Sequence, residues 1–255
     1  ITTLETKLLD QKLKIRGQEK SHPKIGILAI DDKTIEKFGR WPISRKYYAK
    51  AFENLKKNGV KFIAFDALFS EPEKSTIEDS LPHLNELKES SLKGKVEQSL
   101  KSFKALEELK KVSPSDKTFI KSIKDFPNII LSYLYYIQKQ EVRDAGREAE
   151  PFRGLDEMSS SNIELIVLPE DRELNSYSQN LKGEGVLTNI TSVNEVSDYF
   201  GFFSNEPDPD AIVRWATVVR ILDGVLMPSL SLKLAAEYLD REILTIFNDF
   251  GIESI

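Results

Sequence analysis

"KIGILAIDDKTIEKFGRWPISRKYYAKAFENLKKNGVKFIAFD", residues 24–66, is the stretch on which the fold class turns. Its opening, Lys24 to Ile30, is apolar and β-branched, the composition of a strand buried on both faces. Ser44 is a good N-cap for a helix from about Arg45 to Lys57, with Tyr48, Phe52 and Leu55 on one side. Asn58-Gly59 stops that helix, because glycine suits the left-handed position after a helix end. Val60 to Phe65 reads as a second buried strand, ending in Asp66. Strand, helix and strand within about forty residues predict a βαβ unit with a right-handed crossover.

Upstream, Ile1, Leu4, Leu8 and Ile15 form one helical stripe within residues 1–20, closed by Gly17 and Pro23. Such a helix either packs on its own domain or serves as a linker that leaves a membrane or meets a partner. Downstream, residues 73–114 are rich in Lys, Glu, Leu and Ser. Leu92, Val96, Leu100 and Phe103 at helical spacing there predict a helical insertion after the second strand, broken at Pro114. A short helix (116–126) and a third buried strand (128–137) follow. Residues 138–182 are polar and poorly patterned apart from a short strand at 163–168, and are expected to be mobile, variable loops. Another strand is expected at 185–190. Two strands around the acidic turn of "SNEPDPD" come next, then a turn at Asp223-Gly224 and a helix over 229–239 with Ser229 as N-cap. The prediction is an α/β domain: a central parallel or mixed sheet flanked by helices, with a helical insertion.

Composition narrows the function. With 40% hydrophobic and 9% aromatic residues in 255, the chain has the apolar content of a folded domain rather than a disordered one. The net charge of −5 is interleaved along the chain, which argues against a nucleic-acid partner. The absence of cysteine removes disulfides, thiolate metal sites and cysteine nucleophiles together. No run of about twenty apolar residues is present, and no signal peptide. A start at Ile1 rather than methionine reads as a segment of something longer.

The chemistry-bearing residues are mainly acids and arginines. Asp31 and Asp32 end the first expected strand and Asp66 the second. In a parallel pair these share the carboxyl edge of the sheet, where open α/β sheets bind ligands. Asp208 and Asp210 add acid, and Arg40, Arg45 and Arg214 add countercharge. Carboxylates in this number suit a hard cation. With arginines among them they suit a polar organic ligand. Each has a plainer reading too. Asp31 or Asp32 can cap a short helix over Lys33–Phe38, Asp66 can pair with Arg45, and Pro209 with its flanking aspartates can be a simple turn. Gly39, Trp41 and Pro42 read as a packing corner. Enzyme signatures are scarce: His22 and His83 have no ligand-spaced neighbours, and no phosphate-binding glycine loop, zinc motif or serine elbow occurs. No cofactor or metal is called for.

Two stretches carry a family resemblance. "ILAIDDKTIEKFGRWPISRKYYAKAFENLKKNGVKFIAFDALFSEPE" (27–73) resembles the opening of the type-two CHASE domain, the cyclase/histidine kinase-associated sensory extracellular domain. "GFFSNEPDPDAIVRWATVVRILDGVLMPSLSLKLAAEYL" (201–239) is similar to that family's second hallmark, and "DKTFIKSIKDFPNIILSYLYY" (116–136) matches its middle strand in outline. Ala211 stands where the family usually has glycine, and 73–112 and 138–182 have no clear family counterpart. The resemblance implies a bacterial extracytoplasmic sensor on the periplasmic face of the inner membrane, held by flanking transmembrane helices. The implied output is a cytoplasmic adenylate or guanylate cyclase, or else a histidine kinase, diguanylate cyclase or serine/threonine kinase. On that basis residues 1–20 are a membrane-proximal linker helix and 21–255 one sensory domain, whose last residues lead back towards the membrane. The expected ligand site is Asp32, Arg45, Asp66, Asp208, Asp210 and Arg214, beside a structural corner of Asp31, Gly39, Arg40, Trp41 and Pro42. The signal is a small molecule or ion, and a homodimer is an open partner. A soluble carboxylate-dependent enzyme and a pocketless scaffold are the alternatives.

Overall fold

A computed structural model describes residues 3–18, 24–39, 41–73, 113–177 and 181–255. The chain divides into two compact units, Ile1–Ile43 and Ser44–Ile255.

Among its described residues the first unit holds two helices. Helix α1 (Thr3–Arg16) ends where Gly17, at φ +72°, donates its N–H to the Leu13 carbonyl at 3.1 Å. Helix α2 (Asp32–Phe38) is capped by Asp31, whose carboxylate accepts from the Thr34 N–H at 2.9 Å and hydroxyl at 2.8 Å. Between them the expected buried strand does not form. Residues 24–30 join no ladder, and Ile25, Ile27 and Leu28 are exposed. β-Branched composition says what a strand is made of, whereas a strand exists only through a hydrogen-bonded neighbour.

The second unit starts with helix α3 (Arg45–Lys57), which has the predicted bounds, and strand β1 (Ile63–Phe65). Helix α4 (Pro114–Asp125) and strand β2 (Ile129–Tyr136) complete a βαβ unit one element later than expected, because β1 and β2 pair in parallel from Ile63↔Ile129 to Phe65↔Leu131. Strand β5 (Tyr199–Phe202) lies parallel to β2, and β4 (Gly185–Leu187) lies antiparallel to its second half. The sheet is therefore mixed.

Register sets its two faces. Phe65, Leu131 and Phe200 align on one face, where Phe65 meets Tyr48 and Phe52 of α3 and Phe119 of α4, with ring centroids 5.3–5.9 Å apart. Gly201 alternates to the other face. A Cβ there would stand 2.5 Å from the Leu230 Cα, so glycine is what lets helix α7 (Leu230–Leu239) approach β5.

A second core joins the hairpin of β6 (Val219–Leu222) and β7 (Val225–Pro228) to a sheet of β3 (Leu165–Val167), β8 (Leu244–Asn248) and β9 (Gly251–Ser254). Ile163, Tyr177, Val219, Ile221, Leu226 and Phe247 fill it. Asp223 and Gly224, both at positive φ, give the β6–β7 turn the hand that matches strand twist. The two strands expected around the acidic turn are β5 and β6, and each finds its partner elsewhere, β5 in β2 and β6 in β7. The last residues form the β8–β9 hairpin. The expectation of mobile loops is corrected here. Residues 138–182 are packed in their described parts, with α5 (Lys139–Asp144), two 3-10 turns and buried Leu155, Met158 and Tyr177. A few apolar side chains in a polar stretch suffice to fasten it, and period alone does not reveal them. Helix α6 (Thr191–Asn194) completes the unit. The expected insertion helices with Leu92, Val96, Leu100 and Phe103 lie outside the described residues, as do Arg40, Pro23, His22 and His83.

The stems of that insertion meet at one carboxylate. Asp116 Oδ2 accepts the Glu73 N–H at 3.1 Å and the Ser113 N–H at 3.2 Å, while the Ser113 hydroxyl caps the Asp116 N–H at 3.0 Å. Its Oδ1 pairs with the buried Arg45 guanidinium, which also donates to the Glu71 carbonyl and lies 4.4 Å over the Phe69 ring. Glu73 in turn accepts the Arg45 N–H at 2.7 Å. Two helix N-termini, each worth roughly +0.5 charge, add to Arg45, and Asp116 with Glu73 balances them. Among the described residues the charges of this junction balance. Asp116→Ala leaves the buried Arg45 charge without its counterion and is expected to cost about 3–5 kcal/mol of stability. Thermal unfolding of variant and parent side by side is the check.

Candidate functional site

Strands β1, β2 and β5 run parallel, so their carboxyl ends share one edge. Asp66 leaves β1 there, exposed and without an ion pair among the described residues. The next residues are tied down by amides. Asn189 accepts the Phe69 N–H at 2.9 Å and donates to the Ser132 carbonyl at 3.0 Å, and the Ser132 hydroxyl donates to the Ala67 carbonyl at 3.2 Å.

The charged part of the edge gathers at Tyr135. Its N–H donates to the Ser204 hydroxyl at 3.1 Å and its phenol to Glu206 at 3.0 Å. Arg220, buried in β6, donates to the phenol oxygen at 2.9 Å, stacks 4.6 Å from the ring centroid and pairs with Glu206. Burial pushes Arg220 below its ordinary pKa, while Tyr135 acts in the opposite direction. An arginine stays charged through such a shift. Tyr133, two residues back on the same face, is fully buried, and burial holds its phenol well above the usual value. Its hydroxyl finds no hydrogen-bond partner among the described residues.

Residues 203–218 form a loop whose first residues are pinned by Tyr135 and Arg220 and whose middle is closed on itself. Arg214 donates to Asp208 at 2.8 Å and to both oxygens of Asp210 at 2.8 and 2.7 Å, with its own side chain only 2% exposed. This two-bond fork is the geometry arginine has and lysine lacks. The Arg214 guanidinium holds the Asp210 carboxyl at about 2. The turn inside the fork places Ala211 at φ +62°, with its N–H on the Asp208 carbonyl at 2.8 Å. That is the left-handed conformation glycine adopts without steric cost. The fork leaves Ile212, Val213 and Trp215 exposed.

Of the residues expected at the site, Asp208, Asp210 and Arg214 are brought together. Arg45 is taken up by Asp116 and does not pair with Asp66. In the first unit Asp31 is the α2 cap, and the two Thr34 hydrogen bonds, the hydroxyl's first, hold its carboxyl below the usual value. Asp32 is exposed in the first turn of α2, Gly39 at φ +100° closes that helix, and Trp41 precedes Pro42 through a cis peptide. Sequence reasoning passed over Tyr135, Ser204, Glu206 and Arg220. The signal for Arg220 was present as a lone arginine inside the apolar run "VVRIL". Among the described residues no three acidic or histidine side chains converge as metal ligands, so the hard-cation reading gains no support from them. No helix among them is long and apolar enough to cross a membrane.

A family model described as the CHASE2 domain matches residues 1–253. No curated protein and no solved structure matches the chain.

The fork has an acid limit. Asp210 is depressed from its ordinary 3.8 to about 2, so its pairing contributes fully above 3.8 and is lost as pH falls through about 2. With Trp41 changed to Phe, Trp215 is the only indole left, and its emission is expected to hold steady to about pH 3 and shift below it. A shift centred near pH 4 would contradict the fork. Ala211→Gly should relieve a left-handed alanine and raise stability by about 0.5–1 kcal/mol, read from urea unfolding.

Proposed function

The chain belongs to the CHASE2 domain family, and from that membership we propose that it is the extracytoplasmic sensory domain of a bacterial transmembrane receptor. CHASE2 domains are extracellular sensory domains of signalling receptors and are not catalytic. The finer reading places this one on the periplasmic side of the inner membrane, attached through flanking membrane helices, with an adenylate or guanylate cyclase as its output. A histidine kinase, diguanylate cyclase or serine/threonine kinase is the alternative output.

The observation that carries the ligand side of this reading is the Arg214 fork beside the Arg220–Tyr135–Glu206 node. Both arginines are already satisfied by the protein's own acids, so the edge is closed in a self-paired state. A small anionic or zwitterionic signal competes for those partners, and its carboxylate or phosphate takes the place of Asp210 on Arg214. Such exchange shifts the domain only by the difference in affinity between the paired and exchanged states. Asp66, exposed on the same edge, is the remaining acid for a ligand's cationic group. Asp32, Gly39, Trp41 and Pro42 belong to the first unit.

Topology is the first test. Alkaline phosphatase fused after Ile255 in the full-length receptor is expected to be active, because it matures only outside the cytoplasm. An inactive phosphatase with a fluorescent cytoplasmic reporter at the same position would overturn the reading. The ligand is then sought by thermal shift of the chain against dicarboxylates and amino acids. A saturable rise in Tm that Arg214→Ala abolishes is the expected result.

A further inference from the structure

Where the β6–β7 hairpin turns, the second unit carries a cleft of about 240 Å³. Phe152, half-buried, forms an apolar wall, and the Asp223-Gly224 turn forms another side. The connection into β4 supplies Lys182 and Gly183, fastened to β6 where the Gly183 N–H donates to the Ile221 carbonyl at 2.9 Å. Lys182 is half-buried, and its Nζ donates to the Asn175 carbonyl at 2.6 Å. A Cβ at Gly224 would stand 3.3 Å from Asn175 Nδ2, so glycine leaves space between the turn and that amide.

We propose that this cleft binds a small zwitterion, an amino acid with a short aliphatic side chain. An ammonium has three N–H donors, and the protein occupies one of those on Lys182. The Asp223 carboxylate and the Asn175 side-chain amide have no partner among the described residues. Lys182 and Asp223 thus line one cleft with opposite charges that do not pair with each other. A simple anion there meets Lys182 but is repelled by Asp223, and a simple cation meets the reverse. Such like-charge juxtaposition is how a site rejects the wrong ligand. A zwitterion answers both groups at once, and the Asn175 amide adds one further donor or acceptor. The volume lies below the roughly 300 Å³ at which drug-sized pockets begin, which limits the occupant to a few heavy atoms. Phe152 is the surface for its side chain. The cleft shares no residue with the Arg214 fork or the Arg220 node, so it is a second site, separate from the ligand edge proposed above.

The test titrates the isotope-labelled chain with L-alanine and follows the amide signals of Gly183 and Gly224 by NMR. Propionate and ethylamine are the controls, since each is alanine without one of its two charges. Alanine is expected to shift both signals saturably, and each control to bind at least about tenfold more weakly. Lys182→Met and Asp223→Asn should each weaken alanine at least about tenfold. Asp223 sits at φ +47°, a conformation asparagine tolerates, so Asp223→Asn keeps the turn even if Lys182→Met loses its fold. Arg214→Ala should leave alanine binding here unchanged, which separates this site from the ligand edge. No saturable shift with alanine overturns the proposal. So does propionate binding as tightly as alanine, which would mark a bare anion site, or alanine binding indifferent to Asp223→Asn.

Discussion

The second unit depends on one buried ion pair. Arg45 and Asp116 meet where α3 and α4 both begin, and neither side chain keeps meaningful contact with water. Burying two charges costs several kcal/mol each, and the pair holds only where geometry and further hydrogen bonds satisfy every remaining site. Here they are satisfied. The carboxylate takes two backbone N–H groups and the guanidinium, while the guanidinium takes a carbonyl and an aromatic face. Because those backbone groups come from Glu73 and Ser113, one carboxylate orients both helices and closes the chain between them. The aromatic cluster of Tyr48, Phe52, Phe65, Phe69 and Phe119 then packs in a frame already set.

The same chemistry recurs twice at lower burial. Arg220 fastens the base of the 203–218 loop to β2, and Arg214 closes its middle. The three sites differ in what water can reach. Asp116 is sealed, Glu206 is about one-third exposed, and Asp210 is half exposed. Screening grows in that order, so the Asp210 pair is the weakest of the three and the Asp116 pair the strongest.

Much of this was legible in the sequence, and the limits have physical causes. Helix α3 was read to the residue because Ser44, the apolar side and Asn58-Gly59 are all local signals. Strand β2 and helix α7 were legible for the same reason. Pairing is not local. Nothing within residues 24–30 says whether an apolar run will find a ladder, and nothing near Tyr199 says that β5 pairs with a strand more than sixty residues earlier. At the site, Asp208, Asp210 and Arg214 stand close in sequence, so their convergence could be anticipated. The partner of Arg45 lies 71 positions away and the partner of Arg220 lies 85 away, and composition has no access to either.

The junction at Asp116 also sets what length costs. Once the two stems are fixed side by side, chain added between them pays only loop-closure entropy, which rises with the logarithm of length at about 0.6 kcal/mol per doubling. A strand or a packed helix has no such tolerance, because one extra residue turns every later side chain to a new face. Holding Glu73 and Ser113 on one carboxylate therefore fixes the span that any connection between them has to bridge, whatever its length.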